Sequence, residues 1–508
     1  MMTAPLPDIA APAAPPRRLP FSFAKRQGLL FLCLEEQYWL ACRPQVELAA
    51  IAEAQRFAGR RLPLKALGED AFNQALAASY QHDSSAAMQL AEDLGGSLDL
   101  AALADQVPET EDLMEQEDDA PIIRLINAIL GEAIRENASD IHLETFEKRL
   151  VVRFRVDGVL REVLEPKREL AALLVSRIKV MARLDIAEKR IPQDGRISLR
   201  VGGREVDIRV STLPSANGER VVLRLLDKQA GRLNLQHLGM SERDRKLMDE
   251  TVRKPHGILL VTGPTGSGKT TTLYTTLKQL ATDEVNVCTI EDPIEMIEPS
   301  FNQMQVQHNI DLTFASGVRA LLRQDPDIIM VGEIRDLETA EMAIQAALTG
   351  HLVLSTLHTN DSPTAITRLL ELGVPYYLIR ATVLGVMAQR LVRTLCPHCK
   401  APMQLADSDW HELTRPWSAP PPSGAHQAVG CLECRDTGYR GRAGVYEIML
   451  LSDSLKELIT ADTDLVALRR QAYKEGTRSL RLSGAQKVAA GISTLEEVLR
   501  VTPQSEQK

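Results

Sequence analysis

Four short runs of apolar residues, separated by stretches long enough to form a helix, are the most regular pattern in the second half of the chain. They cover residues 258–261, 287–290, 328–331 and 352–354. Runs that are apolar at every position are typical of parallel strands that helices cover on both faces. The pattern therefore predicts an α/β fold, with a parallel sheet at the centre of a domain that extends over 241–508.

Upstream of this region, apolar and polar residues alternate with a period of two, which is typical of half-buried strands. Residues 150–156 and 196–226 show the alternation, and Pro121 opens an amphipathic helix before them. These elements predict a second α/β domain at 121–227, followed by a connector at 228–240. The arginines of its strands form either a solvated face or a set of groups that reach phosphate. They are Arg196, Arg200, Arg204, Arg209, Arg220 and Arg224.

The N-terminal part of the chain divides into three segments. Residues 1–18 form a Pro/Ala-rich tail that we predict to be disordered, and 105–120 form an acidic linker. Residues 19–104 are apolar enough to fold and show no catalytic constellation, so we predict an adaptor domain. A passive structural role is the alternative. The elements predicted in this domain are a hairpin at 29–42 and helices at 46–58 and 68–80.

Length and charge narrow the class of protein. A chain of 508 residues is long enough for about three or four domains. A net charge of −9 argues against a general nucleic-acid binder, because such a protein needs a basic face. No apolar segment reaches the roughly 18–20 residues that cross a bilayer, and the first residues lack the apolar core of a signal peptide. We therefore expect a cytoplasmic or peripheral protein.

The first apolar run leads directly into a glycine-rich sequence, GPTGSGKTT, and then into a predicted helix. This sequence matches G-x-x-x-x-G-K-[ST] in full, a pattern whose backbone N–H groups bind phosphate at a helix N-terminus. Lys269 is predicted to reach the β- and γ-phosphates of ATP, and Thr270 to ligate magnesium. An ordinary glycine-rich turn is the alternative. The predicted nucleotide contacts are Gly263, Pro264, Thr265, Gly266, Ser267, Gly268, Lys269, Thr270 and Thr271.

Acidic residues follow the second and third apolar runs, where a parallel sheet has its ligand-binding edge. Glu291, Asp292 and Glu295 follow the second run, and Glu333 follows the third. Glu333 is predicted either to hold the water shell of magnesium or to polarise the attacking water. Glu295 is the other candidate for orienting that water, and the sequence alone does not rank the two. A helix cap or a surface ion pair is the alternative for each carboxylate.

Two histidines flank the fourth apolar run. His351 precedes the run and His358 follows it. Both are candidates for sensing the γ-phosphate of the nucleotide. The alternative for each is a buried histidine that is hydrogen-bonded to the backbone.

Four of the seven cysteines form two C-x-x-C pairs, Cys396 with Cys399 and Cys431 with Cys434. In a reducing compartment such pairs favour a metal over a disulfide, and four thiolates enclose zinc without leaving an open position for catalysis. We therefore predict a structural zinc module over 394–445. The 31 residues between the pairs include a Pro-rich stretch, so we expect a loose excursion there.

Together these motifs resemble the secretion-superfamily ATPases of type II secretion and type IV pilus systems. The resemblance rests on the phosphate loop GPTGSGKT, the acidic sequence TIEDPIE, the strand IIMVGEIRD, the histidine sequence GHLVLSTLHTND and the paired cysteines. Upstream, LPFSFAKRQG, DDAPIIRLINAILGEAIRENASDIHLETFEK and IPQDGRISLRVGGREVDIRVSTLPSANGER resemble the type II secretion ATPases called general secretion pathway protein E. The likeness extends over 19–503.

The resemblance implies a RecA-like nucleotide domain, a PAS-like arginine-rich domain and a homohexameric motor at the cytoplasmic face of the bacterial inner membrane. Its N-terminal domain would dock on the cytoplasmic domain of the L protein of the secretion system, with the platform F protein as a further partner. Membrane association would then be indirect. ATP hydrolysis, with Mg²⁺ and structural Zn²⁺ as cofactors, would power pseudopilus assembly and the export of folded proteins from the periplasm.

The resemblance also implies roles for five arginines. Arg209 and Arg224 would contact phosphate from the second domain, and Arg319, Arg323 and Arg335 would make contacts at or between subunits. Two other functions share the nucleotide core: a type IV pilus extension ATPase, and a zinc-bearing nucleic-acid translocase. The acidic net charge argues against the translocase, so we expect no nucleic-acid partner.

Overall fold

The structure is a computed structural model that describes residues 19, 23–24, 27–34, 37–44, 46–69, 71–72, 75–76, 120–201, 204–226 and 238–503. The chain divides into two compact units, Met1–Leu226 and Asp227–Lys508, which are described one at a time. The predicted tail, the acidic linker up to residue 119, most of the connector and the end of the predicted helix at 68–80 lie outside the described residues. None of the helices in the described part of the chain has both the length and the apolar composition that a bilayer crossing requires.

Near the N-terminus, the described residues form a small sheet with a helix beside it. Strands β1 (Leu29–Leu34) and β2 (Gln37–Cys42) form an antiparallel hairpin, and β3 (Leu64–Ala66) runs parallel to β2. Helix α1 (Leu48–Ala58) ends at Gly59, which takes the left-handed conformation that glycine favours after a helix. The predicted hairpin is thus confirmed, and the predicted helix at 46–58 begins two residues later than expected.

The rest of the first unit is an antiparallel sheet with two helices on one face. Its elements are α2 (Ala120–Arg135), β4 (Ala138–Thr145), β5 (Leu150–Val156), β6 (Val159–Leu164), α3 (Leu170–Met181), β7 (Gln193–Val201), β8 (Arg204–Ser215) and β9 (Gly218–Leu226). In residues 120–226 six strands pair in the order β6-β5-β4-β9-β8-β7. Because side chains alternate along a strand, every second residue joins one core with the helices. Leu125, Ile141, Phe154, Leu174 and Leu223 belong to this core.

The opposite face of this sheet carries a row of charged residues across neighbouring strands. Asp140 on β4 stands opposite Arg155 on β5 and Arg224 on β9. The row continues from Arg224 to Arg209 on β8, and from Arg209 to Arg196 on β7. Nε of Arg224 donates to Oδ1 of Asp140 at 3.0 Å. Because one carboxylate faces four guanidinium groups, the row has a net positive charge.

The second unit contains the four apolar runs. Its elements are α4 (Glu242–Val252), β10 (Gly257–Thr262), α5 (Lys269–Leu280), β11 (Val287–Glu291), β12 (Asn302–Gln305), α6 (Phe314–Leu321), β13 (Ile328–Val331), α7 (Leu337–Leu348), β14 (Leu352–Leu357), α8 (Ser362–Glu371), α9 (Tyr376–Thr382), β15 (Val383–Leu395), β16 (Ala401–Pro402), α10 (Asp407–Thr414), β17 (His426–Gln427), β18 (Tyr439–Leu450), α11 (Asp453–Leu458), α12 (Leu465–Lys474), α13 (Leu480–Ala489) and α14 (Leu495–Val501). Within residues 238–503, seven strands form one sheet in the order β12-β11-β13-β14-β10-β15-β18. Only the last pair, β15 with β18, is antiparallel among these neighbours. The predicted parallel sheet is confirmed, and each of the four runs is one of its strands.

The reason that the runs are apolar at every position is visible in β10. Ile258 and Leu260 lie in one hydrophobic core, whereas Leu259 and Val261 lie in a second core. Alternate side chains of a strand point to opposite faces, so both faces of the sheet are covered. The carboxyl ends of β10, β11, β13 and β14 lie at the same edge because these strands are parallel. That edge positions the candidate site.

The excursion between the cysteine pairs leaves the sheet between β15 and β18, which pair up to Leu395 opposite Tyr439. The expectation that it is loose is wrong. Helix α10 buries Trp410 and Leu413 against α13 and α14, in a core that also contains Ala425. These apolar side chains fix the excursion on the C-terminal helices even though the stretch after α10 is rich in proline.

Candidate nucleotide site and metal centre

The phosphate loop begins where β10 ends and closes where α5 begins. A Cβ atom on Gly263 would lie 2.6 Å from the backbone oxygen of Gln389, and one on Gly268 would lie 2.9 Å from Nε2 of the same residue. Real Cβ contacts are longer than this, and the backbone atom beside Gly263 cannot give way, whereas the atom beside Gly268 is the end of a side chain. Gly268 also has a φ of 86°, in the left-handed region that favours glycine. The backbone is therefore free to approach a phosphate closely at the N-terminus of α5.

Lys269 folds over this loop from the first turn of α5. Its Nζ donates to the backbone oxygens of Gly263 at 2.8 Å and of Pro264 at 3.2 Å. Burial is the main cause that lowers the pKa of Lys269 to about 8. The charge of Glu333 raises this pKa, and the charge of Arg390 lowers it. The ammonium group thus lies at the mouth of the loop, where it can move from carbonyl oxygens onto phosphate oxygens.

The remaining loop residues are arranged for a ligand. Pro264, Thr265 and Gly266 are exposed, and Thr270 is exposed on the first turn of α5. Ser267 is buried, yet its Oγ has no hydrogen-bond partner among the described residues. An unsatisfied buried hydroxyl is costly, and a bound phosphate oxygen would satisfy it. Thr271 lies half-buried in the next position of the helix.

Glu333 follows β13, two strands away from β10 in the sheet, and lies between two basic side chains. His358 Nε2 is 2.9 Å from its Oε2, and Arg335 donates to its Oε1. Burial alone would raise the pKa of Glu333, but the hydrogen bonds from Arg335 and His358 outweigh it and lower the pKa. Glu333 therefore stays ionised at neutral pH, as a metal-bound or water-polarising carboxylate must.

The acidic residues at the end of β11 and just after it differ in burial. Glu291 is buried and accepts hydrogen bonds from Tyr274 at 2.6 Å and Thr289 at 2.7 Å. Its contacts brace helix α5, which carries Tyr274, against the sheet. Asp292 lies 3.3 Å from His308, and Glu295 is exposed with no hydrogen bond to any described side chain.

The two predicted histidines lie at opposite edges of the sheet. His351 precedes β14, whose first residue Leu352 pairs with Gly257, the first residue of β10. The phosphate loop follows the other end of β10, which is about 20 Å away at the rise of a strand. Nδ1 of His351 lies 2.8 Å from the backbone oxygen of Ala346. The expectation that His351 senses the γ-phosphate is therefore wrong, whereas His358 lies at the loop edge.

Of the five arginines implied by the family resemblance, Arg335 donates to Glu333, and the other four fall into two groups. Arg319, exposed on α6, pairs with Glu338 at 3.6 Å, and Arg323, exposed just after α6, donates to the backbone oxygen of Arg319 at 2.9 Å. Arg209 and Arg224 belong to the charged row of the first unit. Their roles at phosphate or between subunits stay predictions.

Two polar residues that were not among the predicted site residues, Gln389 and Arg390, lie behind the phosphate loop. Both are buried on β15, the neighbour of β10 on the side away from β14. Gln389 Oε1 accepts from Thr272 of α5 at 2.9 Å. The signal was present in the sequence VMAQRLV, where two polar residues interrupt an apolar run.

The four paired cysteines form one cluster just beyond the ends of β15 and β18. Their sulfur atoms all lie within 4.8 Å of one another, with Cys396 3.9 Å from Cys431 and Cys399 3.8 Å from Cys434. Four sulfur atoms about 2.3 Å from one zinc ion would be about 3.8 Å apart at the corners of a tetrahedron. Backbone N–H groups donate to two of the sulfurs, from Gly430 to Cys399 at 3.3 Å and from Gly438 to Cys434 at 3.2 Å. The cluster therefore fits a closed tetrahedral zinc site.

The loop between a parallel strand and a helix, with a carboxylate after a nearby strand, defines the second unit as a P-loop nucleotide-binding fold. Two solved structures share this fold. The ATPase DotB of Legionella pneumophila matches with a TM-score of 0.55 at 22% identity, over 77% of this chain and 97% of that one. The pilus retraction motor PilT, solved with bound ADP, matches with a TM-score of 0.50 at 26% identity, over 75% of this chain and 97% of that one.

Sequence comparisons define the family. The type II/IV secretion system protein family matches residues 115–500, and an N-terminal domain family of GSPII protein E matches residues 18–80. A type II secretion system protein E of Pseudomonas aeruginosa is 77% identical over 502 residues, 99% of both chains. The type II secretion system ATPase E of Vibrio cholerae is 54% identical over 495 residues, 96% of this chain and 97% of that one. The chain belongs to the E proteins of type II secretion, a family of secretion ATPases.

Proposed function

We propose that the chain is the ATP-hydrolysing motor of a type II secretion system, and that its turnover powers pseudopilus assembly and the export of folded proteins from the periplasm. The observation that supports this best is the phosphate loop with Glu333 at the same edge of the sheet, in a chain similar over nearly its whole length to type II secretion E proteins. A pilus retraction motor shares the fold. The partner protein therefore decides whether such a motor serves secretion or a pilus.

The proposed reaction is hydrolysis of ATP to ADP and phosphate. The loop N–H groups and Lys269 hold the β- and γ-phosphates, and Thr270 and Glu333 are the proposed magnesium ligands, directly or through water. The metal neutralises charge on the transferred phosphoryl group when it is bound. Either Glu333 or Glu295 orients the attacking water. The hydrogen bonds from Arg335 and His358 keep Glu333 ionised and fix its direction.

The proposed partners follow the family. The N-terminal domain would bind the cytoplasmic domain of the inner-membrane L protein, and the platform F protein would contact the motor, so that the motor is held at the cytoplasmic face of the membrane. ATP hydrolysis by the purified full-length chain, measured with and without the L domain, tests the assignment. Stimulation by the L domain supports it. Stimulation by DNA instead would favour a nucleic-acid translocase.

The metal centre leads to a prediction about composition. The purified protein should contain about one zinc per chain, and Cys396→Ser should lose that zinc and lower the Tm of the second unit by about 5–10 °C, because a thiolate site contributes folding free energy only with metal bound. Elemental analysis and calorimetry measure the two effects. Cys33→Ser, at an exposed position of the hairpin in the first unit, is the control and should change neither. Protein prepared without chelators that holds no zinc would contradict the site.

The proposed homohexamer leads to a prediction about the charged row of the first unit. We propose that Arg209 and Arg224 contact nucleotide phosphate in the assembled ring, so a non-hydrolysable ATP analogue should increase the hexamer fraction in sedimentation. Arg209→Ala or Arg224→Ala should lower turnover by about tenfold or more, since each removes a cation from the developing phosphate charge. Arg149→Ala, which changes a half-exposed arginine in the turn between β4 and β5, is the control for folding and charge. The same monomer fraction with and without the analogue would refute nucleotide-dependent assembly.

A further inference from the structure

Arg390 is buried in the middle of β15, with 6% of its surface exposed. Its guanidinium donates to the backbone oxygen of Gln389 at 3.0 Å, and to the backbone and side-chain oxygens of Asn360 at 3.1 and 3.2 Å. All three acceptors are neutral, and no described carboxylate forms an ion pair with it. A buried arginine usually has an anionic partner. Glu447 and Asp361 attract the guanidinium from beyond ion-pairing distance, so a bound anionic ligand would give Arg390 the close negative partner that the described residues do not provide.

The position of the guanidinium identifies which ligand this is. Nη1 of Arg390 would lie 3.1 Å from a Cβ atom on Gly263, the first residue of the phosphate loop. Lys269 donates to the Gly263 backbone oxygen at 2.8 Å. Two cations therefore lie close to Gly263. The negative charge of a nucleotide in the loop would compensate both of them.

The contact with Asn360 joins the loop to the proposed catalytic carboxylate. The turn at 358–361 follows β14, and Thr262 at the end of β10 accepts from the backbone N–H of Thr359 at 2.8 Å. The Arg390 guanidinium donates to Asn360, the next residue of the same turn. His358, at the start of the turn, lies 2.9 Å from Glu333. The turn is thus fixed to the loop at two successive residues, and its histidine orients Glu333.

We propose that Arg390 is a positioning residue of the nucleotide site, which favours bound phosphate by its buried charge and keeps Glu333 aligned by holding the 358–361 turn. This inference rests on the proposed ATP hydrolysis. The two effects depend on different properties of the side chain. Attraction for phosphate needs only a positive charge, whereas bridging Gln389 and Asn360 needs the planar fork that lysine lacks.

The test compares Arg390→Lys and Arg390→Gln with the wild type, and uses the exposed Arg253→Gln as control. The dissociation constant of a fluorescent ADP analogue reports nucleotide binding, phosphate release gives kcat, and thermal unfolding reports folding. We expect Arg390→Lys to keep its ADP affinity within about threefold and lose about tenfold or more in kcat, because charge remains but alignment is lost. Arg390→Gln should lose about tenfold in affinity as well as in kcat.

Asn360→Ala keeps Arg390 but removes the side-chain oxygen of the turn that accepts from it. This variant tests the proposal if the arginine variants do not fold. We expect kcat to fall about fivefold with unchanged ADP affinity. Values of kcat and affinity within twofold of wild type in the folded variants would overturn the proposal. A wild-type chain that binds ADP but hydrolyses no ATP would instead refute the proposed function.

Discussion

Lys269→Ala should retain less than about 1% of the wild-type ATP turnover, because removing a preorganised cation from a transferring phosphoryl group costs at least about a hundredfold. The structure offers no replacement at the mouth of the loop among the described residues. Arg390 lies behind Gly263 and is held by Asn360, so it cannot move to the γ-phosphate. Phosphate release by the full-length chain is the measurement.

The control for this prediction is Lys246→Ala. Lys246 is an exposed residue of α4, and its 3.8 Å pair with Glu250 contributes little to stability. This variant should keep wild-type turnover. If Lys269→Ala hydrolyses ATP at a rate close to that of the control, the loop is not the nucleotide site.

Glu333→Gln should lose about a hundredfold or more in kcat while it keeps nucleotide affinity, because the amide can neither polarise water nor complete the magnesium shell. The hydrogen bonds from Arg335 and His358 make Glu333 the better-oriented carboxylate. Glu295→Gln, at an exposed position without such contacts, should also lower kcat if Glu295 orients the water in the assembled motor. Single-turnover hydrolysis and ADP-analogue binding separate the two effects.

Glu341→Gln provides the matched control, since Glu341 is exposed on α7 and its charge lies outside the candidate site. Its kcat should equal that of the wild type. Loss of nucleotide affinity in Glu333→Gln and Glu295→Gln alike would show that both carboxylates support the loop structurally. Full turnover in either variant would remove that residue from the proposed chemistry.

Much of the second unit could be predicted because its signals are local. Four apolar runs specify strands covered on both faces, and the glycine spacing specifies the loop that follows β10. Ligands bind beyond the carboxyl ends of parallel strands. Because His351 precedes its strand, the sequence already argues against a role for His351 at the γ-phosphate.

What could not be predicted depends on which strands are neighbours. Gln389 and Arg390 reach the phosphate loop because β15 pairs with β10, more than a hundred residues earlier in the chain. The packing of Trp410 on the C-terminal helices is equally non-local. The proline-rich composition indicated a loop between the cysteine pairs. It gave no information about the C-terminal helices on which Trp410 packs.

Strand β15 contains thirteen residues and leads from the nucleotide site to the thiolate cluster. Arg390 near its middle supports the phosphate loop, and Cys396 lies one residue beyond its end. The two positions are about 20 Å apart along an extended backbone. Hydrogen bonds to β18 stiffen this segment. The thiolate cluster and the phosphate loop are thus connected through one hydrogen-bonded strand, so we expect a displacement of the loop to reach the cluster through the backbone.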